Sequence, residues 1–140
     1  ALCRELNAIY TDFDTLLSSS DIISVHTPLT EATRHRFGAR EFALMKPSAV
    51  FINCARGGIV DEAALLEALK RNAIHGAGID VFAQEPTPQS TEFFTLDNCV
   101  VTPHTAGGTV DNFEYVVRRA IANVQRLDQG QALPEGDRVV

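Results

Sequence analysis

The sequence predicts an α/β fold: a parallel sheet of about four strands in a three-layer arrangement with flanking helices. Three observations lead there. Short runs rich in Val and Ile alternate along the chain with segments of helical periodicity. The helical segments are long enough for the right-handed crossovers that join parallel neighbours. The Val/Ile runs are apolar at successive positions, as expected for strands covered on both faces.

The elements follow in order. Residues 13–17 read as a short helical turn with Asp12 as its N-cap. Residues 22–26 are a β-branched run ended by Pro28, which has no N–H to give to a ladder. Residues 39–45 read as a helix stopped before Pro47, and residues 49–53 as the next strand. Asp61 caps a helix over 62–71 with an apolar stripe of Ala63, Leu66 and Leu69; Lys70 and Arg71 suit the negative end of its dipole. Gly76 and Gly78 flank the turn into a strand over 77–81, and a Pro-containing loop covers 84–97. A strand over 99–102 meets Pro103. The last helix opens near Thr109 and runs to about Leu127, with Val110, Phe113, Val117, Ile121 and Val124 on one face. Gly130 ends it, and 131–140 is a polar tail.

Composition excludes several function classes. A chain of 140 residues with 45% hydrophobic and 21% charged residues is an ordinary globular domain. The net charge of −6 and the scattered Lys and Arg argue against a nucleic-acid-binding face. Cys3, Cys54 and Cys99 are odd in number and lack metal-site spacing, so no metal site is expected and a reducing, cytoplasmic setting is. No apolar run approaches a membrane span. No GxGxxG occurs either. The chain therefore reads as the C-terminal half of a Rossmann-like dinucleotide-binding domain, beginning after the pyrophosphate loop.

Three polar residues sit just past strand-like runs: Arg56, Glu85 and His104. Open parallel α/β sheets bind ligands outside the carboxyl ends of their strands, so all three are placed to border one crevice. Arg56, in Asn53-Cys54-Ala55-Arg56-Gly57-Gly58, offers a planar fork for a carboxylate, and its glycines allow backbone to approach a ligand. His104 is suited to acid/base work near neutral pH, and a carboxylate such as Glu85 beside an imidazole favours its protonated form. Each residue also has a plainer reading: a solvated loop arginine, an exposed turn glutamate before Pro86, a loop histidine before a glycine pair. Taken together they are equipped to protonate a carbonyl beside a held carboxylate, with hydride from a cofactor. His26 and Asp80 also stand at strand ends. Cys54 follows a strand beside Arg56, but no base is near it in sequence, which favours an inert role.

At these residues the chain resembles the D-isomer-specific 2-hydroxyacid dehydrogenases. Four blocks carry the resemblance in register: SDIISVHTPLT at 20–30, MKPSAVFINCARGGIVDE at 45–62, GAGIDVFAQEP at 76–86 and NCVVTPHTAG at 98–107. The resemblance implies that Arg56 binds the substrate carboxylate, that His104 is the proton donor and acceptor, and that Glu85 tunes it. It implies that Asp80 holds the nicotinamide amide. Thr27, Pro28, Thr33, Cys54, Ala55, Arg56, His104, Ala106 and Gly107 would line the cofactor. Glu85 stands where the formate dehydrogenase branch has Gln, which disfavours that branch. The cofactor implied is NAD, with NADP left open, and the substrate a small 2-oxo or 2-hydroxy acid; no nucleic acid or membrane partner is expected.

The resemblance also implies that residues 1–128 are a partial NAD(P)-binding domain and 129–140 a tail, with the N-terminal substrate domain absent. Such a fragment is expected to be inactive alone, and its bared strand edge invites self-association, hence a homo-oligomer. Two other readings stand beside this one: an NAD-sensing transcriptional corepressor-like interaction protein of the same fold, and a truncated product without function.

Overall fold

A computed structural model describes residues 2–138. Ala1, Val139 and Val140, the last two belonging to the expected tail, lie outside the described residues. The chain divides into two compact units, Ala1–His104 and Thr105–Val140.

The first unit holds four helices and four strands: α1 (Leu2–Glu5), α2 (Phe13–Ser19), β1 (Ile22–Val25), α3 (Ala39–Leu44), β2 (Val50–Asn53), α4 (Glu62–Lys70), β3 (Gly76–Ile79) and β4 (Cys99–Val101). The sheet order is β1-β2-β3-β4, and every neighbouring pair is parallel. This is the Rossmann-like sheet with flanking helices that the sequence predicts. Asp12 caps α2 by accepting from Thr15 N at 2.9 Å, and Asp61 caps α4 by accepting from Ala64 N at 3.1 Å.

The register lines up Ile23, Phe51, Ala77 and Cys99 in one row and Val25, Asn53, Ile79 and Val101 in the next. Right-handed crossovers between strands laid down in sequential order put α3 and α4 on the same face. These two rows point toward that helix layer and form the core with Leu17, Phe42, Leu65 and Leu69. Phe51 is its centre: the Phe37 and Phe42 rings lie 5.0 and 5.3 Å away.

Several expectations are corrected. Coverage on both faces is not found: burial alternates along β1, Ile22 is 65% exposed and Val100 on β4 is 69% exposed, while the second face of β3 presents Gly76 and Gly78. The sequential strand order explains this, because it stacks every crossover helix of the unit on one side. The buried stripe of α4 is Leu65, Ala68 and Leu69, while Ala63 is exposed. Leu65, Leu66 and Leu69 fit two stripes one residue apart, and only the packing direction separates them. Gly76 lies inside β3 rather than before it; a Cβ there would meet Asn98 O at 2.8 Å. The 84–97 loop contains a 3₁₀ turn, Glu92–Thr95, that buries Phe93 against Phe82 with ring centroids 5.8 Å apart.

The second unit is one helix and its tail. α5 (Val110–Asp128) is capped by Thr109 and followed by Gly130 in the left-handed region at φ 67°. Val110, Phe113, Val117, Ile121 and Val124 do share a face, and all five are exposed. The tail turns back at Glu135–Asp137, where Asp137 accepts from Arg119 Nε at 2.6 Å and Asn123 Nδ2 at 2.9 Å.

Phe51→Ala is expected to lower the unfolding free energy by about 3–5 kcal/mol, and Ile22→Ala by about 0.5 kcal/mol or less. Urea titration followed by circular dichroism measures both.

Candidate active site

Because all four strands run parallel, their carboxyl ends lie along one edge of the sheet. β1 leads to His26, Thr27 and Pro28; β2 to Cys54, Ala55 and Arg56; β3 to Asp80 and Glu85; β4 to Thr102 and His104. Arg56, Glu85 and His104 border one cavity of about 290 Å³. A cleft of about 600 Å³ lined by Thr27, Pro28, Cys54 and Ala55 shares Arg56 with it. A third, of about 580 Å³, is lined by Asp80, Phe94, Val101 and Thr102 and shares Glu85 and His104.

The Glu85–His104 pair is direct: Glu85 Oε2 lies 2.8 Å from His104 Nδ1. The hydrogen bond to His104, and next the one from Phe82 N at 3.0 Å, hold the Glu85 carboxyl below its ordinary value. An ionised carboxylate only accepts, so Nδ1 carries the proton and donates it to Glu85. Proton exchange with a ligand then falls to Nε2. His104 has φ 55°, a left-handed backbone that non-glycine residues seldom adopt. It is fixed there by its N–H, which donates to Asp80 O at 2.8 Å.

Two buried polar residues tie the sheet to the site. Asn53, 1% exposed, donates from Nδ2 to Arg56 O and accepts Ala55 N at Oδ1, both at 3.1 Å. It shapes the loop that carries Arg56. Asp80, 3% exposed, accepts the Thr102 hydroxyl at 2.5 Å and joins the ends of β3 and β4. Arg56 lies in extended backbone before a 3₁₀ turn, Gly57–Ile59, and its Nη1 donates to Ala55 O at 2.6 Å.

Gly57 serves a different purpose from the one its motif suggests. A Cβ there would lie 2.0 Å from Phe82 C and 2.3 Å from Ala83 N. The glycine admits the backbone of the Glu85 turn, not a ligand, and so brings Arg56 beside the Glu85–His104 pair.

The other expected residues are placed as follows. Thr33 lines none of these cavities; its hydroxyl donates to Pro28 O and accepts Thr30 N, each at 2.7 Å, and staples the loop that presents Thr27 and Pro28. The Cys54 thiol is pushed up by partial burial and then by the Asp80 charge, the reverse of what a nucleophile needs. Burial pushes Cys99 up to about 11. Ala106 and Gly107 are exposed and belong to the second unit, where Gly107 O accepts Asn112 Nδ2 at 2.6 Å. Among the described residues no three His, Cys, Asp or Glu form a group that could hold a metal ion, and no helix is long and apolar enough to cross a membrane.

Sequence reasoning missed Asn53 and Thr102. The available signal was polarity: Asn is depleted in strands, and one ending a run of Val, Phe and Ile is a buried polar group in need of partners.

Comparison with known proteins bears on the fold and the family. The model of the D-isomer specific 2-hydroxyacid dehydrogenase NAD binding domain matches residues 2–106. Glyoxylate/hydroxypyruvate reductase B of Enterobacter agglomerans is 48% identical over 118 residues, covering 84% of this chain and 36% of the reductase. The structure of D-lactate dehydrogenase with NAD+ from Lactobacillus jensenii superimposes with a TM-score of 0.84 at 36% identity, covering 91% of this chain and 42% of that one. A D-isomer specific 2-hydroxyacid dehydrogenase from Xanthobacter autotrophicus Py2, in complex with NADPH and MES, superimposes at 0.73 and 36% identity, covering 86% and 49%. The chain thus spans less than half the length of each of these relatives.

Gly57→Ala is expected to destabilise the first unit by about 3 kcal/mol, because the added carbon meets backbone that cannot swing aside; the urea midpoint reads it. The Glu85 carboxyl should titrate below its ordinary 4.5, and move up toward that value in His104→Ala. Its folded value is depressed, so the pair's contribution to stability is present above 4.5 and is lost as pH falls through the lowered value. Carboxyl-carbon NMR across that acid range measures the shift, and an unmoved Glu85 in the variant would contradict the assignment.

Proposed function

The chain belongs to the D-isomer specific 2-hydroxyacid dehydrogenases, and on that footing we propose that it supplies the acid/base side of a site interconverting a D-2-hydroxy acid and a 2-oxo acid. The observation that carries this reading is the 2.8 Å Glu85–His104 pair in the wall of the cavity that Arg56 also borders.

The roles follow from the chemistry of the groups. Arg56 pairs its guanidinium with the substrate carboxylate and so orients the adjacent C2 oxygen toward His104. In reduction, protonated His104 donates from Nε2 to that oxygen as it becomes an alkoxide; in oxidation, Nε2 takes the hydroxyl proton. Glu85 holds the ring orientation through Nδ1 and balances the imidazolium charge.

The residues present fit the nicotinamide end of a dinucleotide. Thr27, Pro28, Cys54 and Ala55 leave a cleft of about 600 Å³ at the strand ends, and Asp80 places a carboxylate at the neighbouring cavity where a carboxamide N–H would find an acceptor. The bound cofactor, NAD or NADP, supplies or accepts the hydride at C2.

In the full-length protein that contains this chain, His104→Ala is expected to lower kcat for a small 2-oxo acid such as glyoxylate by about a hundred- to ten-thousandfold. Arg56→Lys, which loses the planar fork, should chiefly raise KM. The 140 residues alone, which hold no GxGxxG, should show no turnover. Oxidation of NADH or NADPH reads all three, and wild-type turnover in His104→Ala would sink the acid/base assignment.

A further inference from the structure

Glu62 opens α4 and does not line the cavity that Arg56, Glu85 and His104 share, yet its Oε1 accepts the Ala83 N–H at 2.5 Å across 21 residues of chain. The preceding amide, Phe82 N–H, is taken by Glu85 Oε1 at 3.0 Å. Two consecutive amides of one turn therefore bond to two different carboxylates. The same turn rests on Gly57 from the other side. Its remaining oxygen, Glu85 Oε2, meets His104 Nδ1.

Glu62 is mounted on a rigid support. Asp61 caps the helix through Ala64 N at 3.1 Å, and the Asp61 N–H donates to Phe37 O at 2.9 Å. Leu65, Ala68 and Leu69 anchor the helix in the core. The Glu85 turn is anchored at its first residue, Phe82, which is buried against Phe93, but residues 83–86, which carry Glu85, are exposed. Water could satisfy the Ala83 amide as well as a carboxylate does, but it would not set the distance from the turn to α4.

We propose that Glu62 is a positioning residue for the acid/base pair: by holding Ala83 N–H from the start of α4, it fixes the 82–85 turn in the one arrangement that aims Glu85 Oε2 at His104. This inference rests on the acid/base reading of Glu85 and His104. Glu62 touches neither substrate nor cofactor and acts only through Glu85. What it needs is reach and an acceptor oxygen, not charge.

Two conservative variants of the full-length protein separate these requirements. Glu62→Gln keeps the length and the acceptor oxygen and should retain nearly wild-type kcat. Glu62→Asp keeps the anion at the helix start but is one methylene too short, so the protein folds while kcat falls about tenfold. In Glu62→Asp the pH limb of kcat assigned to His104 should move, hydrogen exchange at the Ala83 amide should accelerate, and cofactor KM should stay unchanged. In a Glu85→Gln background Glu62→Asp should cost nothing further, because both changes act at one point. A wild-type kcat and pH profile in Glu62→Asp overturns the proposal, and so does a Glu62→Gln protein as impaired as Glu62→Asp. If Glu85→Gln and His104→Ala also leave turnover intact, the acid/base reading falls; if they abolish it while Glu62→Asp keeps the wild-type kcat, only the role of Glu62 falls.

Discussion

The parallel register of β2, β3 and β4 is the constraint on which the rest of the site depends. It sets Asn53, Ile79 and Val101 side by side. Each strand then releases its chain at the same edge, and Arg56 and His104, 48 positions apart in sequence, border a common cavity. The backbone bonds Asp80 N to Asn53 O and Thr102 N to Ile79 O carry the ladder one step past the strands. His104 N–H to Asp80 O carries it one step further. His104 is thus appended to the ladder and inherits its rigidity.

That arrangement places polar groups where water is scarce, and the chain satisfies them by making them structural. Asn53 and Asp80 are the buried polar residues among the described residues of the first unit, and each joins one strand end to a segment that leads to a site residue. No buried side-chain nitrogen or oxygen among the described residues lacks a partner. A buried amide or carboxylate without a partner is costly, so these contacts select the loop conformations that provide one. Stability and site geometry are here consequences of the same hydrogen bonds.

The second unit follows different rules. α5 is held by local means: a Thr109 cap, a Glu114–Arg118 pair, a left-handed Gly130, and Asp137 returning to Arg119 and Asn123. Each is a contact within the unit, and none needs a sheet. Its apolar stripe is legible from spacing, while its exposure is a property of the folded chain.

The sequence by itself determined the order of the elements from Phe13 onward, the caps at Asp12 and Asp61, the opening of the last helix near Thr109, and the strand ends that bear Arg56, Glu85 and His104. These are local matters, set by side-chain period, N-cap oxygens and the missing N–H of proline. Only the tertiary structure decided which stripe of α4 is buried, since adjacent leucines allow two. It alone decided that Gly57 makes room for the backbone of Phe82 and Ala83, that Thr33 staples its own loop, that Asn53 holds the Arg56 loop, and that Glu62 accepts the Ala83 amide. The physical reason is distance along the chain. A hydrogen bond between Glu62 and Ala83, or a backbone contact between Gly57 and Phe82, has no period and no local signature. It comes into being only when the parallel register brings those segments together.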